Sequence, residues 1–142
     1  MSESFQLTVS KVIPAAAKEV FEAWLDSKAL AQFMKPHPGM PEPRVKTDAR
    51  EGGRFEIVML AGDKELLHQG EYKTIQRYER LVFTWLSEFS LPSSVVSIDF
   101  EALGPGETRV TLHHEGLPNE ESRDNHQGGW SHILDALATR VA

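Results

Sequence analysis

The chain has 142 residues, 40% of them hydrophobic and 25% charged, with a formal net charge of −6. That is the length and composition of one ordinary globular domain, with enough apolar material for a core. The acidic balance argues against binding a phosphate backbone, and the absence of cysteine excludes disulfides, thiolate metal sites and cysteine nucleophiles.

The first residues, Met1 to Gln6, show no basic segment followed by an apolar one, so no secretory signal is expected. The longest apolar run, Ile57 to Ala61, is far short of the ~20 residues that span a bilayer. These features predict a cytoplasmic protein that neither inserts in membranes nor binds nucleic acid.

Phe5, Leu7 and Val9 alternate with Gln6, Thr8 and Ser10, the period of a half-buried strand. Pro14 ends that strand and favours the start of a helix. Ala17, Val20, Phe21, Trp24 and Leu25 then repeat at helical spacing, and Asp26 can cap a second short helix through Leu30 and Phe33. Lys35 to Pro43 holds four prolines and one glycine, so it reads as a loop. Its Met40, with Met34 just before it, suits a flap over a pocket.

Strand patterns follow at Arg44–Asp48, Gly53–Leu60 and Leu66–Gln76, the last placing Leu66, His68, Gly70 and Tyr72 on one face. Leu81, Phe83 and Trp85 mark a further strand, Val96, Ile98 and Phe100 another. Val110, Leu112 and His114 mark the last, after the turn Gly104-Pro105-Gly106. Short alternating strands joined by tight turns predict an antiparallel meander. The chain closes on a helix in which Trp130, Ile133, Leu134, Leu137 and Val141 form one stripe, with Asn119 or Ser122 as its N-cap. Gly128-Gly129 within it costs about 1 kcal/mol per residue relative to alanine, which points to a kink or a close approach.

The predicted architecture is a single α+β domain of the helix-grip type: a curved antiparallel sheet of six to seven strands around a long C-terminal helix, with two short helices after the first strand. One long helix covers a curved sheet well along a band and poorly at its ends, so a pocket is expected between them.

Several segments carry a family resemblance. They are Pro14 with Val20-Phe21-Glu22-Ala23-Trp24, Asp48 to Phe55, Gly70-Glu71-Tyr72, Glu79 to Trp85, Gly106 to Leu112 and Gly128-Gly129-Trp130. In this order and spacing the chain resembles the activator-of-Hsp90-ATPase homologue 1-like family, within the START/Bet v 1-like (SRPBCC) superfamily. The resemblance implies a helix-grip domain that binds hydrophobic ligands, and a setting among stress-response proteins. Phe33-Met34 stands where many relatives carry a tryptophan pair, which implies a differently shaped pocket mouth. The chain shows no counterpart of the separate Hsp90-binding domain of the eukaryotic co-chaperones, so an Hsp90 interaction is not expected.

The residues expected to line the pocket are Phe55, Ile57, Met59, Trp85, Ile98 and Trp130, with Leu134 from the helix and Phe33, Met34 and Met40 at the mouth. His68 and Tyr72 are the polar groups expected to orient a ligand. No catalytic residue, metal site or cofactor is expected. His113 and His114 point to opposite faces of a strand and His126 and His132 lie six apart on a helix, so neither pair shares a metal. No nucleophile elbow, zinc-binding helix or phosphate loop occurs, and Ser94, Ser97 and Ser131 have no evident histidine and acid partners.

The leading expectation is a binder of a small hydrophobic or aromatic molecule, acting as carrier, sensor or buffer, with homodimerisation left open. The alternatives are a cyclase- or aromatase-like enzyme in which His68 or Tyr72 moves a proton, and a chaperone-associated interaction module.

Overall fold

The structure, a computed structural model, describes residues 5–35 and 39–141. Pro36, His37 and Pro38 of the predicted flap lie outside the described residues. The chain forms β1 (Phe5–Ile13), α1 (Ala17–Ala23), α2 (Ser27–Phe33), β2 (Arg44–Thr47), β3 (Arg54–Ala61), β4 (Lys64–Gln76), β5 (Arg80–Thr84), β6 (Val95–Gly104), β7 (Glu107–Leu117) and α3 (Glu120–Val141).

The seven strands make one antiparallel sheet in the order β1-β7-β6-β5-β4-β3-β2. Consecutive strands from β2 to β7 are neighbours, and β1 returns to pair with β7. The meander expected from the short connections is therefore present, closed by its first strand. The predicted elements are all found, with ends shifted by a few residues. Trp85 is the main local difference: β5 stops at Thr84, and Leu86 pairs instead with Gln69 through two backbone bonds of 2.8 and 2.9 Å.

Local chemistry sets the helix starts. The Asp26 side chain accepts from the Lys28 N–H at 3.2 Å at the head of α2. Of the two candidate caps for α3, Asn119 is the one used, its Oδ1 accepting from the Ser122 N–H at 2.8 Å. The helix then runs continuously through Gly128-Gly129 to Val141. Gly128 is exposed with open space around it, and Gly129 lies on the buried face of the helix.

A chain of aromatic rings joins the layers. Trp24 meets Phe33 at 5.1 Å and Trp130 at 6.4 Å between ring centroids; Trp130 meets Trp85 at 4.9 Å; Trp85 stacks on Phe55 at 6.1 Å. α1, α2, α3 and the sheet thus share one apolar core, in which each fully buried large side chain is worth roughly 1.5–3 kcal/mol. Lys11 on β1 and Asp135 on α3 form an ion pair at 2.8 Å over this contact, a surface pair worth little by itself.

Gly70 fixes how β4 crosses the sheet. A Cβ at this position would collide with the backbone oxygen of Thr84 and lie 2.8 Å from the Phe55 ring. Phe55 is its cross-strand partner on β3, and the ring covers the place of the missing side chain. Three residues on, the β4–β5 register shifts between Tyr72 and Thr74, which bends the strand. Gly70→Ala is expected to lower the unfolding free energy by about 2–4 kcal/mol. Denaturant titration checks this, and a loss below about 0.5 kcal/mol contradicts the close approach.

Candidate functional site

α3 leaves part of the sheet uncovered near its N-terminal half, where the β3–β4 hairpin stands away from it. The space between is a cleft of about 610 Å³. Met59, Ala61, Leu66 and His68 of the hairpin form one wall, and Ser122, Asn125, His126, Gly129 and Ile133 of α3 form the other. Trp85 and Trp130 make the floor, and Met40, Glu88 and Phe89 stand at the rim.

Trp130 is held in place by a buried polar chain. Its Nε1–H donates to His114 Nδ1 at 3.0 Å, and His114 Nε2 lies 2.7 Å from the Ser94 hydroxyl oxygen. A neutral imidazole whose Nδ1 accepts must carry its proton on Nε2, so His114 donates to Ser94. Burial pushes the His114 pKa down to about 3, helped by the neighbouring histidines 126, 113 and 68. Ser94 therefore does have a histidine partner, contrary to the expectation from sequence. In this tautomer, however, the imidazole gives a proton to the hydroxyl rather than taking one, the reverse of what an activated nucleophile needs. Gly116, at φ +87°, lets the chain pass close enough to seat Ser94: a Cβ there would lie 2.5 Å from the Ser94 Cα.

Two further histidines face the cleft from opposite walls. His68 Nδ1–H donates to the Leu66 carbonyl at 3.2 Å, and His126 Nδ1–H to the Ser122 carbonyl at 2.7 Å. Burial lowers both pKa values, that of His68 to about 4. The Ser122 hydroxyl donates to the Phe89 carbonyl at 2.7 Å, tying the rim loop to α3. Among the described residues no group of three or more His, Asp or Glu side chains is placed to hold a metal ion.

The residues singled out from sequence divide into three sets. Met40, Met59, His68, Trp85 and Trp130 meet around the cleft. Met34, Phe55, Ile57 and Tyr72 surround an interior gap of only about 10 Å³ beside Trp24 and Trp85. Phe33, Ile98 and Leu134 are fully enclosed and border neither space. His68 and Tyr72 share a strand face, as their spacing requires, yet line different spaces; burial raises the Tyr72 phenol well above its usual range. The indole nitrogens of Trp24 and Trp85 find no acceptor among the described residues. His126, Phe89 and Glu88 were not foreseen. The signal for His126 was present, since Ser122, His126, Trp130 and Ile133 fall at i, i+4, i+8 and i+11.

A second surface cavity, about 580 Å³, lies between α1–α2 and the end of α3. Glu19, Glu22, Asp26, Arg77 and Arg140 border it, and Arg77 is paired with Glu22 at 2.9 Å. It lacks an aromatic floor, and solvated, ion-paired side chains occupy its walls.

A curved antiparallel sheet gripping a long C-terminal helix, with a cleft where the grip opens, defines the helix-grip class of α+β domains. The chain belongs to the activator of Hsp90 ATPase homolog 1-like protein family, whose sequence pattern matches residues 14–142. Comparison with curated proteins returns no match. Among solved structures, the chain is similar to a protein from Chromobacterium violaceum at 26% identity, with a TM-score of 0.83 over 96% of this chain and 97% of that one. It is similar to a protein from Rhizobium leguminosarum at 23% identity, TM-score 0.80, over 98% and 95% of the two chains. An AHSA1-like protein from Aeromonas hydrophila gives 23% identity and a TM-score of 0.79 over 96% and 92%. The seven-stranded sheet with its long C-terminal helix is thus the fold of its relatives as well.

The lowered histidine pKa values set a pH dependence of stability. Below pH 6.5 the unfolded chain binds protons that the folded chain refuses, so stability is full above that value and declines towards pH 4. The slope approaches about 1.4 kcal/mol per pH unit for each such histidine. Urea unfolding between about pH 7.5 and about pH 5 checks the decline. In His114→Gln the curve is expected to be shallower and to start lower, because Trp130 loses its fixed acceptor.

Proposed function

We propose that the chain binds a small hydrophobic or aromatic molecule in the cleft between α3 and the β3–β4 hairpin, acting as a cytoplasmic carrier, sensor or buffer. The observation that carries this reading is the cleft itself: about 610 Å³ over a floor of two tryptophans, within the roughly 300–1,000 Å³ of small-molecule sites. Met40 and Met59, unbranched and polarizable, suit a wall that repacks around different shapes. The ligand-contacting residues in this reading are Met40, Met59, His68, Trp85 and Trp130, together with His126 and Phe89.

The enzymatic alternative asks for His68 and Tyr72 in one cavity, and they border separate spaces. The interaction-module alternative asks for a broad apolar patch. The exposed large hydrophobic residues found, Val12, Leu67, Phe89 and Leu103, sit on β1, β4, the β5–β6 loop and β6.

Native mass spectrometry of protein purified from its own cells, before and after denaturation, is expected to release a small apolar molecule at near one-to-one. In binding assays with apolar aromatic compounds, read by tryptophan quenching, Phe89→Ala is expected to weaken binding about three- to tenfold, since one aromatic contact is worth roughly 0.5–1.5 kcal/mol. Its rim position, 42% exposed, means that folding stability should change by no more than about 0.5 kcal/mol. An empty protein that also fails to bind any such compound contradicts the proposal.

A further inference from the structure

Two polar groups of the cleft, beside the amides of Asn119 and Asn125 and the indole N–H of Trp85, are histidines that offer acceptors and no donors. His68 on β4 and His126 on α3 each spend the Nδ1 proton on a backbone carbonyl, of Leu66 at 3.2 Å and of Ser122 at 2.7 Å. In a neutral imidazole that leaves Nε2 bare, with its lone pair available. Neither Nε2 has a protein partner among the described residues, and both side chains border the cleft. Tautomer and ring direction are thus set by the backbone, independently of any ligand.

The rest of the lining adds a charge preference. Glu88 and Glu121 stand at the mouth, and no lysine or arginine borders the cleft among the described residues. A carboxylate or sulfonate entering it would lose hydration, meet two like charges and find no cation. An uncharged hydroxyl or N–H group meets none of these penalties.

We infer that the cleft selects uncharged aromatic molecules that donate a hydrogen bond, phenols above all, with Nε2 of His68 and His126 as the accepting atoms and anionic analogues refused. The inference rests on the binding role proposed above and specifies its ligand class. At neutral pH both imidazoles stay unprotonated because burial disfavours their charged forms, so the acceptors persist under cellular conditions. The rings also flank the aromatic floor: His68 lies 4.9 Å from Trp85, so a ring resting on the tryptophans brings its substituents to the imidazole edge.

The test compares three probes of one shape, 2-naphthol, 2-methoxynaphthalene and 2-naphthoate, by isothermal titration calorimetry with the full chain. 2-Naphthol is expected to bind about tenfold more tightly than its methyl ether, the worth of one good hydrogen bond, and 2-naphthoate more weakly than either. In His68→Leu and His126→Leu the naphthol-to-ether ratio should fall towards one. His126→Gln keeps an acceptor oxygen on the same helix face and should retain part of the ratio, which separates loss of the acceptor from loss of structure. Equal binding of naphthol and its ether, or preferred binding of naphthoate, overturns the donor rule and leaves the apolar-ligand role standing. Failure of all three to bind the unsubstituted protein overturns both.

Discussion

The indole of Trp130 hangs on one buried acceptor, the Nδ1 of His114, and the layout of the cleft depends on that bond. Trp130 sits on α3 and His114 on β7, so the bond joins the gripped helix to the sheet that grips it. The same imidazole donates onward to Ser94, at the root of β6. The loop leading into β6, β7 and α3 are thereby registered by polar contacts that the surrounding apolar core cannot slide past. Such a chain tolerates only one arrangement, because each member left unpaired in a dry interior costs on the order of 1–3 kcal/mol. With Trp130 fixed, its ring faces Trp85 at 4.9 Å, and the two make a floor that the rest of the cleft is built upon.

From that floor the electrostatics of the site follow. His114, His126 and His68 lie near one another, His114 and His126 edge to face at 5.1 Å. Burial disfavours a charge on all three, and neighbouring histidines add to this at His114 and His68, so the cluster stays neutral where free histidines begin to titrate. The protein thereby holds polar atoms against an apolar space without placing net charge there. The carboxylates of Glu88 and Glu121 remain at the rim, where water can solvate them.

Much of the fold was legible because it rests on periodicity. The alternation of Leu66, His68, Gly70 and Tyr72, the stripe of Trp130, Ile133, Leu134 and Leu137, and the punctuation by Pro14 and Gly104-Pro105-Gly106 each specify an element and its buried face. The family match over residues 14–142 agrees with them. The site was legible only in part. Periodicity says which side of a strand faces inward, but not whether the inward side meets a helix or a gap. Phe55, Ile57 and Tyr72 have the same parity as Met59 and His68, yet they lie deeper, where Trp24 and Phe83 close over them. Ile98 is on a central strand and so is fully covered. His126 shares the face of Trp130, four residues on, and its separation from His132 carries no sign of that placement. The pairing of Ser94 with His114 depends on the loop between β5 and β6 folding back, through bonds such as Trp85 N–H to the Ser94 carbonyl at 3.1 Å, and no short-range pattern encodes that.

The central claim is that a small apolar molecule enters between α3 and the β3–β4 hairpin and rests on Trp85 and Trp130. Two-dimensional NMR of ¹⁵N-labelled protein, titrated with a neutral naphthalene derivative, tests it most directly. Saturable shifts concentrated on the two indole N–H signals and on the amides of 66–68 and 122–130 are the predicted result. Shifts confined to the polar cavity bordered by Glu19 and Arg140, or spread over the outer face of the sheet, would contradict it.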